Sequence, residues 1–220
     1  MKLHVRGILF DMDGVLVSSL GSVERSWAKW GEMRDVDGAL AIKTAHGQRA
    51  IDTIRKLRPD LNDVSELALI EQIEIDDKEG LEVLKGVRQL LDRLPEKYWT
   101  IVTSATERLA RVRLTHAGLK VPTHIITADM VVHGKPDPEP YRKGAELLGL
   151  KPEECLVIED STSGAKAGHA AGCKVLATLF SHTAENLRAA DWIVESLEDM
   201  VVQPLQDGLE IEFEPLHQKS

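Results

Sequence analysis

The chain has 220 residues, 27 of them Lys or Arg against 36 Asp or Glu, giving a formal net charge of −9. That length suits one α/β core with a modest accessory domain, and an acidic balance without any dense basic stretch argues against nucleic acid or an anionic membrane as partner. No run of about eighteen apolar residues occurs, which excludes a membrane-spanning helix.

The first residues, Met1-Lys2-Leu3-His4-Val5-Arg6, carry charge but no long apolar region, so no secretory leader is expected. Short apolar runs then recur between amphipathic segments. Val5 to Phe10, Tyr98 to Thr103, His124 to Thr127, Cys155 to Ile158 and Lys174 to Thr178 read as buried strands. Cys155 and Cys173 lie in such apolar stretches and read as free buried thiols, consistent with a cytoplasmic location. Helical spacing appears at Leu109, Val112 and Leu114, and again from Pro138 to Leu148 with Gly149 as its stop. This alternation predicts an α/β fold with a doubly wound parallel sheet.

The stretch from 17 to 85 breaks the pattern. It reads as helices at Val23–Met33, Ala50–Leu57 and Leu61–Ile73, with no strand. A small helical cap domain over 17–85 is therefore expected, inserted after the first strand into a core of 1–16 and 86–220. Gly80 and Gly86 bracket its return and suit a hinge. The tail from Gln203 onward is weakly patterned and reads as ragged at its end.

Residues that carry chemistry gather at the predicted strand ends. Asp11 and Asp13 follow the first strand, and residues two apart on extended backbone face one side. Gly14 permits the turn that leaves both at the carboxyl edge, where open α/β sheets place ligands. Glu159 and Asp160 end the fourth strand; they also suit capping of the next helix. In a parallel sheet both acidic pairs emerge at one edge. Four carboxylates there call for a cation, and oxygen-only donors suit Mg²⁺. Thr103, Ser104 and Ala105 offer hydroxyls and backbone N–H groups for a phosphoryl oxygen, or a helix cap. Lys135, held out of helix by Pro136, reads either as a site cation or as a solvated lysine.

These four elements, in this order, resemble the haloacid dehalogenase superfamily over nearly the whole chain. The resemblance implies a phosphatase in which Asp11 is the nucleophile, Asp13 the general acid and later base, Ser104 the second-motif hydroxyl and Lys135 the charge-balancing lysine. It implies Mg²⁺ bound by Asp11, Asp160 and the main-chain carbonyl of Asp13, with Glu159 ligating or orienting a bound water. An insertion after the first motif resembles the helical cap of the β-phosphoglucomutase-like branch. The segments Val23-Glu24-Arg25-Ser26-Trp27 and His46-Gly47-Gln48-Arg49-Ala50-Ile51-Asp52, with Gly134-Lys135-Pro136-Asp137-Pro138-Glu139-Pro140-Tyr141, are similar to those of sugar-phosphate and glycerol-3-phosphate phosphatases. The implied substrate is a small phosphorylated metabolite, of the glycerol 3-phosphate or hexose 6-phosphate type, and the implied state is a monomer or weak homodimer.

Arg49 and His46 are the cap residues read as substrate contacts, His46 equally as an interface or capping residue. Arg49 is read as reaching or closing over a phosphate, or else as a surface partner of Asp52. Val15 stands where this motif commonly has threonine, and Ser18 where many relatives carry aspartate; both bear on substrate choice. A phosphomutase is the alternative enzyme, and a silent metal-binding regulator the non-enzymatic one. A P-loop reading fails because Gly134-Lys135 runs into Pro136 without the glycine spacing a phosphate cradle needs.

Overall fold

The computed structural model describes residues 1–218. In chain order the strands are β1 (Lys2–Val5), β2 (Gly7–Phe10), β3 (Val17–Ser18), β4 (Glu82–Val83), β5 (Trp99–Ile101), β6 (Cys155–Glu159), β7 (Lys174–Thr178), β8 (Trp192–Val194), β9 (Val201–Leu205), β10 (Gly208–Glu212) and β11 (His217–Gln218). The helices are α1 (Leu20–Met33), α2 (Gly38–Ala45), α3 (Ala50–Leu57), α4 (Asp63–Asp76), α5 (Val87–Arg93), α6 (Glu107–His116), α7 (Glu139–Leu147) and α8 (Thr162–Ala171).

The main sheet has the order β11-β8-β7-β6-β2-β5, parallel except for β11. Its central strands are apolar without alternation because both faces are covered. The period of two still sorts their side chains. Ile8, Phe10, Leu156, Ile158 and Leu176 pack on the face covered by α5 and α6. Leu9, Cys155, Val157, Val175 and Ala177 pack on the other, against Tyr141 and Ala145 of α7 and the alanines of α8. Chain order goes from β2 to β5 on one side and then to β6 on the other, so β2 lies at the topological switch point.

Three expectations are corrected. The run from Val5 to Phe10 is two strands, since Val5 pairs with Leu209 in a separate sheet of order β1-β10-β9. The His124–Thr127 stretch forms only a single bridge, Ile126 to Val102, because it meets the sheet at its edge beyond β5. The tail is patterned: β9 and β10 make a hairpin closed at Gln206 and Asp207, with Leu209, Ile211 and Phe213 buried in alternation, while the very end, where raggedness is expected, lies outside the described residues. Its signal was the Asp207-Gly208 turn followed by a period-two run, and Pro204 is tolerated because β9 is an edge strand.

Residues 20–76 form four helices around a separate apolar cluster of Trp27, Trp30, Ala41, Ala45, Ile54 and Ile70. Trp27 and Trp30 meet edge to face with centroids 5.4 Å apart. Glu66 is buried within it, accepting from Trp30 Nε1 at 2.9 Å and Arg34 Nε at 2.8 Å. The segment is not strand-free. β3 and β4, where the chain leaves and returns, pair antiparallel. Two residues each are too few to show a period. Beyond them Gly86 (φ +81°) caps α5, where a Cβ would lie 2.4 Å from the Leu197 backbone.

Candidate active site

The carboxyl ends of β2 and β6 are tied together: the Asp11 N–H donates to the Ile158 carbonyl at 2.9 Å. The chain then turns tightly, with the N–H groups of Leu16 and Val17 donating to the Met12 carbonyl at 2.9 and 3.0 Å. Gly14 sits in this turn at φ +84°, and a Cβ there would lie 1.9 Å from Asp160 Oδ2. A glycine is thus what lets the Asp160 carboxylate fold over the turn. Gly164 does the same on α8, where a Cβ would lie 1.6 Å from Glu159 Oε1.

Lys135 comes from the loop before α7 and is buried. Its Nζ donates to Asp11 Oδ1 at 2.6 Å, Glu159 Oε1 at 2.7 Å and the Val102 carbonyl at 3.1 Å. Glu159 Oε1 also accepts from the Tyr141 hydroxyl at 2.8 Å. Its Oε2 accepts from the N–H groups of Asp160 and Ser161 and from Ser161 Oγ, each at 2.9 Å. The lysine is therefore a buried, ion-paired cation, not a solvated surface group.

Oxygens of Asp11, Glu159 and Asp160 lie within 4.8 Å of one another, and all three residues are buried. Three carboxylates against one ammonium leave two negative charges. Burial pushes Asp11 up to about 7, against the pull of Lys135. Burial, then the charges of Glu159 and Asp11, push Asp160 well above the usual carboxylate range. Burial opposes ionisation of Glu159 too, but Lys135 and the donors around it outweigh that and hold it below its ordinary value. Burial alone would lower Lys135; Asp11 and Glu159 raise it instead. A buried, all-oxygen cluster short of two positive charges fits a hard divalent cation.

Above these groups lies a cavity of about 390 Å³ between the sheet edge and α1–α4. Asp11, Asp13, Thr103, Ser104, Ala105, Lys135 and Asp160 line its floor, while Glu159 is buried behind it. Thr103 accepts from the Ala105 N–H at 3.1 Å, fixing the loop after β5. Leu20, Val23, Trp27, Ile51 and Leu67 supply an apolar roof.

His46 and Arg49 line the roof as well. His46 Nε2 is buried, 3.8 Å from Glu24, with no hydrogen-bond partner among the described residues. Arg49 is not a surface residue. It donates bidentately to Asp52 at 2.7 and 3.0 Å and across the cavity to the carbonyls of Val131 and Val132 at 2.8 and 3.0 Å. Gly47 makes a second contact of the same kind, its carbonyl accepting from Ser163 Oγ at 3.0 Å and Ser104 Oγ at 3.4 Å. The loop between α2 and α3 is thus pinned down over the floor by one arginine and one carbonyl. Arg49→Ala is expected to raise amide exchange over residues 131–135 by about tenfold, the loss of a charge-assisted bond of about 1.5 kcal/mol; hydrogen-exchange mass spectrometry measures it.

Sequence reading missed Arg113, Glu74 and Tyr141. The helical face was assigned to Leu109, Val112 and Leu114, yet Arg113 is buried with Leu109 and Leu114 and Val112 only in part. An arginine at that spacing was the available signal.

The chain is similar to known proteins over most of its length. A profile described as hydrolase, haloacid dehalogenase-like hydrolase, matches residues 5–172. The chain is 37% identical to hexitol phosphatase A of Escherichia coli over 94% of its own length and 98% of that protein. It is 34% identical to glycerol-1-phosphate phosphohydrolase 2 of Saccharomyces cerevisiae, over 92% and 86%. A solved hydrolase from Pseudomonas syringae superposes with a TM-score of 0.79 at 23% identity, over 88% of this chain and 95% of that one.

Proposed function

Because the chain belongs to the haloacid dehalogenase-like hydrolases and is a phosphoric monoester hydrolase, we propose that it cleaves a small sugar or polyol monophosphate with Mg²⁺ through an aspartyl-phosphate at Asp11. The observation that carries this reading is Asp11 itself, hydrogen-bonded to buried Lys135 beside Asp160 on the floor of the cavity.

Lys135 holds Asp11 Oδ1, which leaves the second oxygen to attack phosphorus in line. Asp13, two residues on and at the cavity, gives a proton to the leaving alkoxide and then takes one from the attacking water. The Ser104 hydroxyl holds a phosphoryl oxygen, on a loop that the bond from the Ala105 N–H to Thr103 keeps in place. Asp11, Asp160 and the Asp13 carbonyl would hold Mg²⁺, with Glu159 adding charge while it fixes Lys135. The ion supplies the positive charge that lets a phosphate dianion approach this acidic floor. Residues 17–85 act as the cap that excludes bulk water, over a core of 1–16 and 86–220.

Two observations bear on the substrate. The cavity volume suits a small molecule, and the relatives are named for hexitol and glycerol-1-phosphate chemistry. Every lysine and arginine lining the cavity already has a carboxylate partner: Arg49 with Asp52, Arg55 with Asp63, Arg113 with Asp13 and Lys135 with Asp11. A second phosphate would meet no spare cation among the described residues, which favours hydrolysis of a monophosphate over a mutase that handles a bisphosphate.

The test is phosphate release across sugar and polyol monophosphates with Mg²⁺. Activity on glycerol 3-phosphate or a hexose 6-phosphate is expected, lost with EDTA and restored by Mg²⁺. Thermal unfolding should also move up with Mg²⁺, by about 2.7 kcal/mol at 100 times the dissociation constant. Full activity in EDTA with no Mg²⁺-induced stabilisation contradicts the cation assignment.

A further inference from the structure

Arg113 is an anomaly of the core. It lies two turns into α6 on the face that buries Leu109, Ala110 and Leu114, and its side chain is 4% exposed. A buried guanidinium is costly unless partnered. Its Nη1 donates to Asp13 Oδ1 at 2.9 Å, and its Nη2 lies 3.5 Å from Glu74 Oε1 of α4. Nε and Nη2 make no hydrogen bond among the described residues, so the Asp13 contact is its one well-formed bond.

The geometry is selective. Asp13 is only partly buried and lines the cavity, so the bond to Oδ1 fixes the carboxyl plane and leaves Oδ2 for the reacting atoms. Glu74 reaches Arg113 from the helical segment; beside it Glu71 takes hydrogen bonds from Thr106 and Arg108 of the same core region. Arg113 is thus gripped from the cap while it grips the carboxyl.

We propose that Arg113 is a positioning residue for Asp13, holding one carboxyl oxygen so that the other meets the leaving group, with Glu74 of α4 keeping Arg113 in place. This rests on the assignment of Asp13 as general acid. In that step the ester P–O bond breaks as a bond from Asp11 to phosphorus forms, and the leaving oxygen takes the proton of Asp13. An alkoxide needs that proton; p-nitrophenolate leaves without it. Misplacing Asp13 therefore costs alkyl esters far more than this aryl ester, whereas a general loss of structure costs both alike.

The experiment compares kcat/KM, which reports phosphoryl transfer to the enzyme, on p-nitrophenyl phosphate and on whichever of glycerol 3-phosphate and glucose 6-phosphate the wild type turns over faster. The variants are Asp13→Asn, Arg113→Met and the double variant Arg113→Met/Glu74→Gln, which removes the charge stranded by the single change and decides the matter if Arg113→Met does not fold. Expected for both Arg113 variants is a loss of about 10- to 100-fold on the alkyl ester with p-nitrophenyl phosphate within about threefold. Equal losses on both esters, or none, overturn the proposal. If Asp13→Asn itself fails to discriminate, the acid assignment falls instead, a result separable from failure of Arg113 alone.

Discussion

Asp11→Asn should fold with little change in stability and lose phosphatase activity by about 10⁴-fold or more. The amide is nearly isosteric and can still take a hydrogen bond from Lys135 Nζ, which lies 2.6 Å from Oδ1 in the native site. What it lacks is a nucleophilic oxygen with charge to give to phosphorus. Burial already makes the native carboxylate costly, so replacing it by a neutral group removes one of three acidic groups from a crowded cluster. The two effects separate cleanly. Phosphate release measures the first and thermal unfolding the second. A variant that kept more than about one hundredth of the activity would move the nucleophile elsewhere.

Lys135→Met should damage both properties together. Among the described residues the ammonium is the one cation in contact with both Asp11 and Glu159, at 2.6 and 2.7 Å, and it is 3% exposed. Removing it strands two buried carboxylates, and breaking a buried pair in this way costs about 3–5 kcal/mol. For a chain of this size that corresponds to a fall of roughly 10 °C in Tm. Activity should drop by about 10³-fold, because Asp11 loses the group that orients it and phosphate meets a more negative floor. Glu159 keeps its other donors, Tyr141 and the amides of Asp160 and Ser161, so β6 and α8 should hold together. A Lys135→Met enzyme of native Tm would show that the ion pair contributes little.

The floor of the site was legible in the sequence for a geometric reason. Strand periodicity and the parallel sheet bring Asp11, Asp13 and Asp160 to one edge whatever the details of packing, and Pro136 held Lys135 out of helix. Glu159 was legible as an acid at that edge. Its role as the anchor of Lys135 was not, since that depends on Tyr141 one helix away. Arg49 was read as either a phosphate ligand or a partner of Asp52. It pairs with Asp52, but the carbonyls of Val131 and Val132 that bury it lie 82 and 83 residues along the chain. Arg113 went unread for the same reason: Asp13 is 100 residues away and Glu74 lies in the inserted helices. Local pattern finds what backbone geometry dictates and misses contacts that exist only once two remote segments have docked.

The strand pair at the neck of the insertion and the hairpin at the tail were missed on length and position. β3 and β4 have two residues each, and β9 and β10 follow a stretch of turns. Their place is clear in three dimensions. β10 joins β1, so this hairpin closes the apolar face behind β2, with Leu209 and Ile211 packed beside Leu3 and Val5.

The central claim is a covalent phosphoryl group on Asp11, and trapping it is the most direct test. Wild-type enzyme and the Asp13→Asn variant would be mixed with ³²P-labelled p-nitrophenyl phosphate, whose leaving group needs no proton from Asp13, and Mg²⁺, quenched in acid within milliseconds, and reduced with borohydride, which converts an aspartyl-phosphate to homoserine. Label on the protein, greater in Asp13→Asn, with homoserine at position 11 in the peptide map, is the predicted result. Rapid phosphate release with no label on the protein at any time, or homoserine at another position, would contradict it.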